Sequence, residues 1–210
     1  MKRLFLHFTV DYQKCTQVLN FFSEKAGGQV NKMKALKLAF FADRYHLRKY
    51  GRFLTNDDYV AMRYGPVPSL VKDIAEANDY LDTAVKVYSQ DYIDSIDNHT
   101  IRSIEKIDRR IFSESDLEAL EFSWNTFGHY DKYQLKDISH QYPEWAKFKK
   151  ILECSNTCYA IDPLDFLKDP PNGYDKCFEL TEEEKAGLEE YIKESAYIDN
   201  LWSENAGCPA

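Results

Sequence analysis

No stretch of this 210-residue chain approaches the roughly 20 uncharged apolar residues that a membrane-spanning helix needs. The opening MKRLFLHFTVDY likewise has too short an apolar run for a secretory signal, so a cytoplasmic protein without membrane contact is the expectation. Cysteine is sparse. The five residues Cys15, Cys154, Cys158, Cys177 and Cys208 are odd in number and scattered, and a chain of this size can bury a core without covalent staples. Reduced thiols are predicted. Cys154 and Cys158 lie four apart with Cys177 downstream, which is not the C-x2-C pairing of zinc ribbons, and no fourth ligand is near Cys177 in sequence. G-x-G-x-x-G, G-x-x-x-x-G-K-[ST] and G-x-S-x-G are all missing, which leaves phosphate-cradling loops and nucleophile elbows without a foothold. Neither a metal nor a cofactor is expected.

The chain is rich in core-forming residues. Apolar residues make up 44% and charged residues 30%, with 15 tyrosines and 13 phenylalanines, a composition of globular proteins and not of disordered ones. The net charge of -8 hides a split: residues 1–110 hold 18 Lys+Arg against 14 Asp+Glu, and residues 111–210 hold 9 against 21. Within residues 1–52 the bias sharpens to 11 basic against 3 acidic. Such a bias marks either a phosphate-binding face or the side on which the acidic half packs, and packing is the favoured reading.

Periodicity predicts a mainly α fold of the α+β class: a compact helical domain with a small β-hairpin and an appended acidic C-terminal helix. Val18, Leu19, Phe22 and Ala26 give residues 11–26 one apolar face, ended by Gly27 and Gly28. A helix from Lys32 to Tyr50, capped by Asn31 and stopped by Gly51, is apolar around most of its circumference and belongs in the middle of the core. Asn56-Asp57 reads as a turn, and Tyr64 to Pro68 as a rigid loop, because two prolines there lack donors. Ser69 is expected to cap a helix through Asn78, and DTAVKVYSQDYI with NHTIRSIEKI to form a hairpin around Asp97-Asn98. Ser115 with Glu118 reads as a capping box for a helix to Phe127, followed by helices over Lys132–His140 and from Pro143 through PEWAKFKKIL. A proline-rich connection leads to the acidic last helix, opened by Thr181 with Glu184, and Glu204 to Ala210 read as disordered. The expected units are residues 1–152 and, packed on the same domain, residues 153–210.

The stretch from Val30 to Val71 resembles the Panacea domain shared by SocA-like antitoxins of bacteria and phages. The likeness rests on Lys34, Lys37, Leu38, Phe41, Ala42, Asp43, Leu47, Lys49 to Arg52, Thr55, Asp57, Asp58, Tyr59 and Tyr64 to Pro68. Phe112 to Trp145 is also similar, through Leu135 to His140 and Pro143-Glu144-Trp145, and together the likeness spans most of residues 11–152. One departure is Lys37-Leu38-Ala39-Phe40, where the family usually has K-L-L-Y. The resemblance implies an antitoxin that neutralises a cognate toxin, encoded next door, by direct contact in a toxin–antitoxin system. SocA itself resembles a proteolytic adaptor, which implies the ClpXP protease as the alternative partner.

Partner-binding candidates are Tyr64, Gly65, Pro66, Val67 and Pro68, where a fixed backbone lowers the entropic cost of binding, with a structural turn as the plainer alternative. Arg44, Arg48 and Lys49 share one side of their helix and are candidates to anchor an acidic partner, although intramolecular pairing is commoner there. Asp43 and His46 sit three apart but have no accompanying nucleophile, so no catalytic residue is expected. His129 and His140, 11 apart, lack the one-face spacing of helical metal sites even with Asp131 and Asp137 nearby. A nucleic-acid-binding regulator is the remaining alternative, disfavoured by a pI near 5.2.

Overall fold

The computed structural model describes residues 9–154, 157–170 and 179–206. Helix α1 (Tyr12–Lys25) leads through β1 (Gln29–Asn31) into α2 (Lys32–Tyr50), the hairpin β2 (Tyr59–Met62) and β3 (Gly65–Pro68), and helices α3 (Ser69–Glu76) and α4 (Thr83–Tyr92). Strands β4 (Ile93–Ser95) and β5 (Thr100–Ser103) precede helices α5 (Glu114–Phe127), α6 (Lys132–Ser139), α7 (Pro143–Ala146) and α8 (Lys149–Cys154). A short strand β6 (Tyr159–Ala160) and a 3-10 turn (Pro163–Leu167) connect to α9 (Glu182–Ala206). The fold is mainly α with two small antiparallel sheets, ordered β1-β5-β4 and β3-β2-β6. Among the described residues no helix is long and apolar enough to cross a membrane.

Helix α2 forms the axis of the core, as its all-round apolar surface predicts. Asn31 accepts a hydrogen bond from the Lys34 amide, and Gly51, at φ 76, ends the helix by donating to the Leu47 carbonyl. Leu38, Ala39, Phe40, Phe41, Ala42 and Leu47 are fully or almost fully buried. Phe41 stacks on Phe127 of α5 at 4.0 Å, and the Ser123 hydroxyl donates to the Leu38 carbonyl, fixing α5 along α2. Phe166, in the connection before α9, lies within 6 Å of the rings of Phe40, Phe53 and Tyr59, so that connection feeds the same core.

Several local expectations change. The run from Thr83 to Tyr92 is a helix and not a strand: Val85 and Ser89, four apart, are its buried residues, and Tyr88 meets Tyr12 of α1 edge-on at 5.8 Å. So short and partial an alternation fits either period, and packing on α1 decides. The hairpin around Asp97 survives in shorter form as β4 and β5, joined by β1, with Val30 opposite Ile101. Gly65 to Pro68 is a strand and not a loop, an edge strand paired with β2, where prolines are tolerated. Asn56 does turn the chain, at φ 53.

The caps also move. Pro68, not Ser69, holds the N-cap position of α3 and makes no side-chain bond there; the Asp57 carboxylate accepts from the Leu70 and Val71 amides instead. The capping box of α5 is Ser113 with Asp116, two residues earlier than predicted. Pro143 does start a helix, but PEWAKFKKIL divides into α7 and α8. Thr181 and Glu184 exchange hydrogen bonds at the start of α9, which continues to Ala206; Glu204 to Ala206, expected to be disordered, are thus helical, and the rest of that stretch, residues 207–210, lies outside the described residues.

Candidate partner-binding surface

The polar residues that give the sequence its motif turn inward. Asp43 is fully buried on α2, and its Oδ1 accepts from the Leu54 amide at 2.6 Å and the Thr55 amide at 3.1 Å. Its Oδ2 accepts from Thr55 Oγ1 at 2.7 Å and Tyr59 Oη at 2.8 Å. Burial pushes the Asp43 pKa up, and these four donors oppose the shift. One carboxylate thereby folds the segment after Gly51 back along α2. His46 points elsewhere: Nδ1 meets the Arg52 carbonyl at 2.8 Å, while Nε2 lies 3.0 Å from Ser115 Oγ and 3.2 Å from Asp116. Asp43 and His46 therefore form no acid–base pair.

Beneath the hairpin, fully buried Lys37 donates to the Pro66 carbonyl at 2.7 Å, and desolvation lowers its pKa to about 7. Gly65, at φ +112, is required above it: a Cβ there would stand 2.6 Å from Lys37 Nζ and 2.8 Å from Ser139 Oγ. Trp145 Nε1 donates to the Met62 carbonyl at 2.8 Å, and its ring stacks on His140 at 3.5 Å. Burial first, and then the charge of Lys37, lower the His140 pKa to about 4. His140 thus sits in the scaffold, and the His129 ring lies tilted against that of Tyr130 at 3.9 Å.

Gly65, Pro66, Val67 and Pro68 are buried, and only Tyr64, 58% exposed at the hairpin turn, reaches solvent from that candidate set. Arg44 is fully buried and donates to Glu144 at 2.6 Å and to the Lys168 carbonyl at 2.8 Å. Arg48, also buried, donates to the Phe166 and Leu167 carbonyls and to Asp169. These two arginines clamp the connection before α9 onto α2. Lys49 alone of the three basic candidates is exposed.

The basic bias of residues 1–52 resolves as packing. Lys14 and Arg52 pair with Asp116, Lys25 with Glu121, Arg44 with Glu144, Arg48 with Asp169 and Lys49 with Glu118. Burial alone would raise the Asp116 pKa, yet hydrogen bonds from His46 and Lys14 hold it well below the usual carboxylate range.

What faces outward is of another kind. Tyr45, Lys49 and Tyr50, on the last two turns of α2, all bond to Glu118 of α5, with Tyr50 Oη at 2.5 Å. Tyr45 stacks on Phe122 at 4.1 Å, and Tyr50 leans on His46 at 4.9 Å. Lys49 Nζ lies 5.4 Å from the Tyr45 ring centre and 5.3 Å from that of Tyr50. The Lys49 ammonium, followed by the two hydroxyls, lowers the Glu118 pKa to about 2. Sequence reading singled out Lys49 but missed both tyrosines and Glu118; the i, i+4 and i, i+5 spacing of Tyr45, Lys49 and Tyr50 was the available signal.

Alongside lies α9. Ile192 and Ala196 are buried, and Tyr191 and Leu188 rest on Gly51, where an added Cβ would stand 2.6 Å from the Tyr191 ring. Tyr191, Tyr197, Ile198 and Leu201 are nonetheless 50%, 59%, 47% and 41% exposed.

Residues 36–146 match the family described as antitoxin SocA-like, Panacea domain, a little over half of the chain. No curated protein and no solved structure matches.

Proposed function

The chain belongs to the SocA-like antitoxin, Panacea-domain family, and from that premise we propose that it neutralises a cognate protein toxin by direct, stoichiometric binding, with no catalytic step of its own. The observation that carries this reading is the inward direction of the motif's polar residues. Lys37, Asp43, Asp57 and Glu144 all bond to scaffold groups, and Asp43 and His46, the one acid–base pair the sequence offered, face apart. The exposed groups include tyrosines such as Tyr50, Tyr64 and Tyr197, and aromatic residues are enriched in protein contacts. Nucleic-acid binding is disfavoured by the six basic residues of the first 52 already held in ion pairs.

Co-expression with the product of the adjacent gene tests the proposal. Growth arrest by the neighbour alone, relieved together with recovery of a stable complex, is the expected result. A harmless neighbour that does not co-purify overturns it. Rescue that disappears in a host lacking ClpXP would replace masking by proteolytic delivery.

A further inference from the structure

We propose that the side of α2 carrying Arg44 and Arg48 is a peptide-docking groove that the chain fills with its own residues 163–169, and that a segment of the partner protein with a phenylalanine and, three residues later, an acidic side chain takes the place of that strap. The inference rests on the binding role proposed above and names the contact and the chemistry it selects.

The strap has a locally set form. It is a 3-10 turn, Pro163–Leu167, in which Asp162 accepts from the Leu164 amide and Pro163 fixes the first backbone angle. Its anchor is Phe166, fully buried, whose ring lies 4.9 Å from Phe53, 5.1 Å from Tyr59 and 5.8 Å from Phe40. Beyond that ring the grip is on main chain and one carboxylate. Arg48 donates to the Phe166 and Leu167 carbonyls at 3.1 and 2.6 Å, and Arg44 donates to the Lys168 carbonyl at 2.8 Å. Arg48 also donates to Asp169 at 2.6 Å, and Lys185 of α9 pairs with the same carboxylate, so an incoming acid would meet two cations. Carbonyls are alike in every sequence. Two guanidiniums that hold three of them in succession therefore accept any segment with this turn, and selectivity falls to the ring and the acid.

The groove and its filling come from different parts of the chain. Phe40, Arg44, Arg48, Phe53, Tyr59 and Glu144 all lie within residues 36–146, which carry the family match, and the strap lies beyond them. The strap also leaves an acceptor over. Fully buried Glu144 accepts from Arg44 through Oε1, while its Oε2 has no hydrogen-bond partner among the described residues, a cost that an occupant with a donor there would remove.

Two buried guanidiniums without acceptors would carry their full desolvation cost, so one occupant leaves only as another enters. The strap competes from the same chain at an effective concentration on the order of millimolar, which lowers the affinity that any outside segment shows. Loosening the strap should therefore tighten binding, the opposite of losing a contact residue.

The test uses the full chain, two strap variants and a fluorescent synthetic peptide of residues 161–170. Phe166→Ala is expected to bind the peptide at least about tenfold more tightly than the wild type, and its melting temperature to rise toward the wild-type value as peptide is added. Asp169→Asn, at an exposed strap residue, loosens the grip without opening the core; about threefold tighter peptide binding is expected, and it answers for the first variant should that fail to fold. The same peptide carrying Phe166→Ser is expected to bind neither chain. A peptide that binds neither variant, or binds without restoring the melt, overturns the groove. The product of the adjacent gene is expected to displace the peptide from the loosened variants. A neighbour that binds the chain and leaves the peptide in place keeps the antitoxin reading and overturns the partner segment. Peptide binding with a neighbour that binds nowhere supports the groove and overturns the antitoxin reading. A wild-type dimer that the peptide dissociates assigns the groove to the strap of a second copy and overturns the partner segment.

Discussion

Helix α2 carries two sets of polar residues that sequence alone makes look alike. Lys37, Asp43, Arg44 and Arg48 lie inside, Lys49 and Tyr50 lie outside, and Tyr45 is half-buried at the boundary, one residue away in places. Arg48 and Lys49 are adjacent cations, yet Arg48 holds two backbone carbonyls and Asp169 in the interior while Lys49 bridges Glu118 at the surface. The inner set meets desolvation that hydrogen bonds to buried partners oppose, whereas the outer set is screened by water. Inner residues therefore set whether the chain folds, and outer residues bear little on it.

The largest effect should come from the inner set. Asp43→Ala leaves the Leu54 and Thr55 amides and the Tyr59 hydroxyl buried without their acceptor, and is expected to destabilise the fold by about 3–5 kcal/mol, read by chemical denaturation. A loss below about 1 kcal/mol would erase the distinction between the two sets.

A pH experiment sharpens it. With the Lys37 pKa lowered to about 7 by burial, the folded chain favours the neutral amine, while the unfolded chain stays protonated until about pH 10.4. Its stability contribution is therefore present at high pH and lost as pH falls through about 7. Between about pH 7 and 8, stability should rise with pH by at most about 1.4 kcal/mol per unit, and Lys37→Met should flatten the slope. His140, lowered to about 4, acts in the same direction but below pH 7, where Asp57, pushed up to about 7 by burial, opposes it. The smallest stability change belongs to the outer set: Glu118→Gln should cost under about 1 kcal/mol in a melt, despite releasing Tyr45, Lys49 and Tyr50.

Much of the fold was legible because it is locally encoded. Asn31 and Gly51 bounded α2 correctly, and Gly27 with Gly28 followed the end of α1. Where two local codes competed, reading failed. Ser115 with Glu118 fits a capping box as well as Ser113 with Asp116, and Asp116 is selected because Lys14, His46 and Arg52 converge on it from distant positions. Of the eight candidate contact residues, Arg44, Arg48 and Gly65 to Pro68 are buried, while Lys49 and Tyr64 are exposed.

By itself the sequence determined the helical periods, the glycine and asparagine boundaries of α2, the charge division between the halves and the family motif, since each depends on residues close along the chain. Only the tertiary structure decided which charges were interior, that Asp57 caps α3 from outside it, and that α9 comes to rest on Gly51 with its tyrosines outward. Those outcomes depend on which distant surfaces exclude water from one another, and no window of sequence contains both surfaces.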